Sequence, residues 1–148
     1  MRWEPTVFDH FLDLHPQDAQ RMSHEEMLVF RDDADLRVHL PSVARTLLAE
    51  DVPIGILGVW GDGDGRAVAF AVFAKEGLRH GIRISRGAHR FLAEVAARDS
   101  LRRIEATIDP AHDAALVFAH RMGFVREGLM EAYFPDGRPA WRVARTRF

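Results

Sequence analysis

The chain has 148 residues, of which 47% are apolar and 28% charged, and its formal net charge at pH 7 is −2. These values are typical of one soluble globular domain over residues 1–148, and the net charge argues against nucleic-acid binding. The absence of cysteine excludes disulfides, thiolate metal sites and a cysteine nucleophile.

Arginine is the dominant basic residue, since 19 arginines stand beside the single Lys75. Codon bias in a GC-rich genome accounts for such a ratio. The alternative is that arginine is used to recognise anions, because its planar guanidinium matches the geometry of phosphate.

The first 50 residues carry weak signals of secondary structure. Phe8–Leu14 is apolar with polar interruptions and predicts a first strand. A helix is predicted over Pro16–Asp32. A second helix is predicted to begin at Ser42, because apolar residues then follow at i, i+1, i+4 and i+5 spacing: Val43, Ala44, Leu47 and Leu48.

A β-hairpin is predicted in the middle of the chain. Pro53–Trp60 is rich in β-branched residues, and Gly61–Gly65 alternates glycine with aspartate, which tolerates the positive φ of tight turns. A calcium loop is the alternative for this turn, but no distal glutamate completes it. Ala67–Lys75 is apolar on both faces, which predicts a central strand covered on both sides.

The second half alternates helices and strands. A helix capped by Ser85 is predicted over Ser85–Asp99, followed by a strand over Arg103–Ile108.

The next helix is predicted over Pro110–Met122, with Asp109 as its N-cap and Gly123 as its C′ glycine. A strand over Phe124–Phe134, a turn over Pro135–Gly137 and a final strand complete the chain. The order indicates an α/β (α+β) protein with a mixed sheet.

The string Asp109–Phe124, DPAHDAALVFAHRMGF, resembles the N-x-x-A-x-x-x-Y-x-x-x-G-F segment of the Gcn5-related N-acetyltransferase (GNAT) family. Ala115, Gly123 and Phe124 match, and the later Glu-Gly pair and Asp-Gly turn also resemble the last hairpin of that family. The resemblance covers about Pro53–Arg147. It implies a central mixed, mostly antiparallel sheet flanked by helices on both faces.

The family's acyl-CoA signature, V-x-x-x-x-R/Q-x-x-G-x-G/A, falls between the fourth strand and the next helix. The resemblance implies that acetyl-CoA is the cosubstrate. It also implies a phosphate site at Leu78, Arg83, Arg86, Gly87 and Ala88. Arg86 stands at a position where the family usually has glycine. Four alternatives remain open for Arg86. Its guanidinium clamps the phosphates together with its arginine neighbours Arg79, Arg83 and Arg90, or its side chain fills the site. The other two are that these arginines face solvent and bind no ligand, or that they bind an anion other than coenzyme A.

The residues that carry proton transfer in the family are also altered. Ala119 stands at the position where the family usually has a tyrosine, and His112 stands where it usually has an asparagine. Tyr133 is the only tyrosine and is therefore the candidate general acid. Glu76 is the first candidate for the base that deprotonates the amine, and His80 is the second. For each of the three, a packing or solvated surface role is the alternative. The histidine pattern predicts no metal site.

Two functions follow as expectations from the resemblance. The first is acetyl transfer to a small-molecule or protein amine, with coenzyme A lying across splayed strands. The second is a binding protein that performs no reaction, as in the GNAT-like proteins of tailed bacteriophages, which this chain also resembles. The partner would then be a second copy or a virion protein. No membrane or nucleic-acid partner is expected.

The expected location is the cytoplasm, or the virion if the phage resemblance holds. No apolar run approaches the roughly 20 residues of a membrane span. Met1–Pro5 also lacks the apolar core of a signal peptide.

Overall fold

The computed structural model describes residues 1–20, 34–61 and 63–148. Seven strands form one sheet in the order β1-β2-β3-β4-β5-β7-β6. The strands are β1 (Arg2–Pro5), β2 (Ala44–Ala49), β3 (Val52–Gly61), β4 (Arg66–Phe73), β5 (Arg103–Ile108), β6 (Val125–Met130) and β7 (Ala140–Arg145). In the described residues the α-helices are α1 (Asp9–Asp13), α2 (Ala34–Val43), α3 (Gly81–Arg98) and α4 (Asp113–Arg121).

The sheet is mixed, as predicted. Strands β4 and β5 are parallel, whereas the pairs β1–β2, β2–β3, β5–β7 and β6–β7 are antiparallel. Strands β3 and β4 are neighbours joined by the predicted turn, in which Gly63 and Gly65 have φ of +83° and +86°. The predicted hairpin is therefore confirmed, and β4 lies at the centre of the strand order.

The predicted strand at Phe8–Leu14 is wrong. Residues Asp9–Asp13 form α1, and the first strand is the more polar Arg2–Pro5. Phe8, Phe11 and Leu14 recur every third residue and are all buried. That spacing places the three side chains on one helical face, although α1 is too short to show a clear period.

The helix predicted to begin at Ser42 is also wrong. Helix α2 ends at Val43, and Ala44–Ala49 is β2, held between β1 and β3. Its apolar residues are buried on both faces, and such a run fits a covered strand as well as a helix. Most of the helix predicted over Pro16–Asp32 lies outside the described residues, and its described part contains a 3₁₀ turn, Asp18–Gln20.

The second half follows the prediction with shifted boundaries. Strand β5 has the predicted bounds, and Gly123 ends α4 with φ of +84°. Helix α4 begins at Asp113 and not at Pro110, because the Asp109 carboxylate accepts the Ala111 N–H at 2.9 Å and forms a turn first. The predicted N-cap at Asp109 is therefore wrong, and His112 is the N-cap.

The chain divides into two compact units, and each has a core of its own. The first unit comprises Met1–Gly58 and Ala71–Gly87, and its fully buried side chains include Phe11, Leu40 and Ile56. The second unit comprises Val59–Phe70 and Ala88–Phe148, and its buried side chains include Leu92, Ile104 and Val143. Val68 of β4 is 57% exposed, so the predicted cover of both faces does not extend to the start of that strand.

Among the described residues, none of the helices combines the length and the apolar character that crossing a membrane requires.

Candidate functional site

The parallel ladder between β4 and β5 is short. It joins Arg66 to Arg103, Ala67 to Ile104 and Val68 to Glu105. Strand β4 continues to Phe73 and β5 continues to Ile108. Backbone groups beyond the ladder need other partners, because a buried N–H or C=O without a hydrogen bond is costly.

In the first unit, the end of β4 is bonded on both edges. The Ala74 N–H donates to the Ile54 carbonyl of β3 at 3.1 Å. The Phe73 groups point to the opposite edge, because backbone groups alternate along a strand. There the Phe73 N–H donates to Gln20 Oε1 at 2.8 Å, and Gln20 Nε2 donates to the Ala71 carbonyl at 2.9 Å. The Gln17 N–H donates to the Phe73 carbonyl at 3.0 Å.

A 3₁₀ helix, Lys75–His80, follows β4 and carries both candidate bases. Glu76 lies in its first turn and is exposed, whereas His80 at its end is partly buried. Gly77 lies against β3 so closely that a Cβ there would be 2.5 Å from the Ile54 carbonyl oxygen. The backbone that carries Glu76 is therefore anchored to β3. The side chain of Leu78 lies outside the described part of the structure.

Helix α3 begins at Gly81, one turn before the predicted start. Gly81 has helical φ and ψ of −49° and −39°, so the 3₁₀ helix leads directly into α3. Ser85 is inside the helix, and its predicted role as the cap is wrong. The backbone N–H groups at Ser85–Ala88 lie beyond the first turn, where each pairs with a carbonyl one turn earlier. Any anion bound at these positions is therefore held by side chains.

The small residues of the signature face protein atoms. Ala88 is 0% exposed. A Cβ added at Gly87 would overlap the indole nitrogen of Trp3 in β1. The absence of a side chain at Gly87 therefore permits β1 to pack on α3, which is a structural reason for a glycine inside a helix.

The arginines of this segment remain available to a ligand. Arg79, Arg83 and Arg86 are exposed, and none of them has a hydrogen bond or ion pair with a described residue. Arg83 and Arg86 are three residues apart in α3 and lie on one face of it, and Arg79 precedes them in the 3₁₀ helix that leads into α3. We name Arg79, Arg83 and Arg86 the arginine stripe, and Arg90 follows Arg86 at helical spacing. The stripe is a cluster of unpaired positive charge, which suits an anion with several phosphates.

The candidate acid lies in the second unit. Tyr133 is in the connection between β6 and β7, is 50% exposed, and makes an edge contact with Phe134 at 5.3 Å between ring centres. Ala119, at the position usual for tyrosine, is 8% exposed in the buried face of α4. Helix α4 therefore presents no hydroxyl at that position.

A cluster that the sequence analysis missed joins two loops of the second unit. The Arg138 guanidinium pairs with Asp109, which follows β5, and with Asp136 at 2.7 Å. Burial raises the pKa of Asp109, but hydrogen bonds from the Ala111 N–H and Arg138 outweigh it and hold the pKa below its ordinary value. Burial lowers the pKa of His112 below 6.5 against the pull of nearby Asp109. No spacing in the sequence indicates these contacts between loops.

Glu105 of β5 pairs with arginine side chains. Its carboxylate accepts the Arg103 Nε at 2.5 Å and lies 3.7 Å from Arg142. Glu127 of β6 pairs with Arg103 as well. These charges form a surface row across three strands. Within the described residues, no group of three or more histidines and carboxylates is placed to hold a metal ion.

No protein-family model and no curated protein matches the sequence. Several solved structures match the fold of the chain. A GNAT-family acetyltransferase from Bacillus anthracis is 17% identical, with 99% of this chain and 95% of that chain covered and a TM-score of 0.72. Ard1 from Thermoplasma volcanium is 12% identical, with 99% and 97% covered and a TM-score of 0.75. A NatC complex bound to Gag peptide and CoA is 15% identical, with 99% and 98% covered and a TM-score of 0.65. The chain therefore has the GNAT fold.

Proposed function

We propose that the protein transfers an acetyl group from acetyl-CoA to an amine. The observation that carries the proposal is the arginine stripe, whose three exposed guanidinium groups have no partner among the described residues and lie on the 3₁₀ helix after β4 and on α3. Coenzyme A is a trianionic to tetraanionic ligand, and arginine binds phosphate through two parallel hydrogen bonds. The GNAT fold and the CoA bound in the NatC structure support the same ligand.

The phosphates lie along Arg83 and Arg86 in this proposal, and guanidinium groups replace the backbone cradle that a glycine-rich loop provides. Gly87 and Ala88 follow these arginines in α3 and pack on protein atoms, and Leu78 precedes them in the chain. Arginine side chains that bind phosphate are flexible, and they lose conformational entropy when the ligand orders them. We therefore expect CoA binding that is weaker and more salt-dependent than binding by backbone N–H groups.

The chemistry needs a proton acceptor and a proton donor. Glu76 accepts a proton from the ammonium group, and His80 is the second candidate for this role. The amine nitrogen then attacks the thioester carbonyl carbon, the carbon–sulfur bond breaks, the nitrogen loses its second proton to water, and the thiolate takes up a proton from water. Tyr133, which lies in the other compact unit, stays a prediction as the donor of that proton. The products are an amide and free CoA. Single acid or base groups contribute roughly 10²–10⁴-fold, so positioning of the amine carries much of the rate.

The test is thermal unfolding with and without millimolar acetyl-CoA. A ligand at 100 times its Kd stabilises the folded state by roughly 2.7 kcal/mol, which corresponds to a rise in Tm of several degrees. We expect Arg83→Ala to remove the rise. Arg121→Ala, which deletes an exposed arginine of α4, is the matched control and should retain it. An equal rise in wild type and Arg83→Ala would contradict the role of the stripe.

A second function is favoured by the altered chemistry of the chain. Ala119 replaces the usual acid and Trp3 covers Gly87, which fits a GNAT fold that binds a protein partner and performs no reaction. The virion or assembly role and a homodimer belong to this alternative, and the comparisons do not support the phage part of it. Absence of any acetyl-CoA effect on Tm would favour this alternative.

A further inference from the structure

The carboxamide of Gln20 takes the place on β4 that main-chain groups of a neighbouring strand would occupy. Its oxygen accepts the Phe73 N–H, and its nitrogen donates to the Ala71 carbonyl. Both backbone groups lie on the edge of β4 that faces away from β3. Gln17 Nε2 donates to the same Gln20 oxygen at 2.8 Å, which is consistent with the orientation of the amide.

Among the described residues, the cover over this edge is a side chain and not a strand. Main-chain pairing of the segment with β4 consists of the Gln17 N–H bond to Phe73 and a single bridge between Pro16 and Ala74. The Phe73 N–H and the Ala71 carbonyl depend on one rotatable side chain. An extended chain with two successive secondary amides offers the same donor and acceptor, one from each amide, which is the basis of strand addition.

The arm of coenzyme A that joins the phosphates to the thiol contains two secondary amides. The arginine stripe follows the end of β4 through the 3₁₀ helix Lys75–His80 and the start of α3, and we take the arm to extend from the stripe back towards the end of β4. Its amides and the Gln20 carboxamide are therefore chemically equivalent candidates for one pair of backbone groups, and both cannot bind at once.

We propose that Pro16–Gln20 is an internal competitor of acyl-CoA, in which Gln20 holds the Phe73 N–H and Ala71 carbonyl until the amide arm displaces it. The inference rests on the proposed function and adds its regulation. A protein whose competent form is only partly populated binds with an apparent affinity reduced by that fraction. Removing the carboxamide should therefore strengthen binding of the amide arm and leave binding of the phosphates unchanged.

The experiment measures Kd by calorimetry for Gln20→Met, which keeps the side-chain length and removes both hydrogen bonds. For CoA we expect a Kd lower by about tenfold, which is about 1.4 kcal/mol. For adenosine 3′,5′-bisphosphate, which has phosphates and no amide arm, we expect no change. Gln17→Met is the matched control, because its main-chain bond to Phe73 survives, and its effect on CoA affinity should be much smaller.

Hydrogen exchange at the Phe73 amide provides a readout that does not depend on the ligand. Exchange should be slow in wild type, faster in Gln20→Met, and slow again in the variant with CoA. Equal exchange in both proteins, or a CoA affinity that Gln20→Met leaves unchanged or weakens, overturns the competitor while wild-type CoA binding still supports the proposed function. If neither protein binds CoA, both the proposed function and the competitor are wrong.

Discussion

Two glycines of α3 differ in what surrounds them. At Gly87 an added Cβ would overlap the Trp3 indole, whereas at Gly81 it would meet nothing within 4 Å. Both have negative φ, so neither is needed for a special backbone conformation. Packing, and not backbone conformation, therefore determines how strongly the stability of the protein depends on each glycine.

We expect Gly87→Ala to lower the free energy of unfolding by about 1–3 kcal/mol, because β1 must shift to admit the methyl group. Gly81→Ala, the control in the same helix, should raise it by about 0.5–1 kcal/mol through the higher helix propensity of alanine. Urea unfolding measures both. A Gly87→Ala protein as stable as Gly81→Ala would show that Trp3 does not pack on this position.

Arg145 is a buried cation without a carboxylate partner in the described residues. It is 4% exposed, and its Nη1 has no hydrogen-bond partner in the described structure. Burial lowers its pKa below the ordinary value. Its Nε donates to the Arg147 carbonyl at 3.0 Å, and its guanidinium lies 5.1 Å from the centre of the Phe148 ring. These contacts offset only part of the cost of burying the charge.

Arg145→Met should therefore leave the free energy of unfolding unchanged or raise it by about 1 kcal/mol, since an apolar side chain has no charge to desolvate. Arg142→Met, an exposed arginine on the same strand, should change it by less than about 0.5 kcal/mol. A large loss for Arg145→Met in chemical unfolding would mean that the guanidinium has a stabilising partner.

Among the elements, the start of α3 decides which groups this segment can offer to an anion. A helix that began at Ser85 would present free backbone N–H groups to a phosphate. The observed start at Gly81 places those groups inside the helix and leaves the guanidinium groups of the stripe. A helix that begins at Gly81 and a helix that begins at Ser85 differ in whether they can accommodate proline at position 85.

Ser85→Pro should cost about 3 kcal/mol or more, because proline removes the hydrogen bond to Gly81 and its ring clashes with that carbonyl. Proline in the first turn would be tolerated if the helix began at Ser85. Ser85→Ala is the control and should be neutral or stabilising. Circular dichroism during urea unfolding compares the variants, and a stable Ser85→Pro protein would restore the later boundary.

At the scale of the whole molecule, burial and pairing give several side chains a pKa in the folded protein that differs from their pKa in the unfolded chain. Among the described residues, hydrogen bonding to arginine chiefly lowers the pKa of Asp99, Glu127 and Asp136. Burial raises the pKa of Asp109, but hydrogen bonds from the Ala111 N–H and from Arg138 outweigh it and lower that pKa. The pKa of His112 is lowered by burial. In each case the unfolded chain takes up its proton at a higher pH than the folded protein, so acidification favours unfolding.

The free energy of unfolding should therefore be nearly constant above pH 7 with respect to these groups. It should fall as pH decreases below 6.5, where His112 of the unfolded chain protonates, and fall again below about pH 4 as the carboxylates do so. His112→Asn should remove the upper step, and His120→Asn should retain it because His112 is still present. Urea unfolding at several pH values tests this, and an upper step that persists in His112→Asn would contradict it.

The sequence by itself determined the second half of the molecule. The bounds of β5, the glycine that ends α4 and the turn between β3 and β4 depend on interactions within a few residues, and local rules describe such interactions well. The mixed sheet and the GNAT fold follow from that order of elements. The arginines of the stripe were also identified, since their spacing is visible in the chain.

Only the tertiary structure decided the first half and the contacts of the site. Ala44–Ala49 is a strand because β1 and β3 lie on either side of it, which no local pattern expresses. Trp3 meets Gly87, and Gln20 meets Ala71 and Phe73, across large separations in sequence. These contacts satisfy packing and backbone hydrogen bonds that exist only after the chain has folded, because the groups are solvated by water before then.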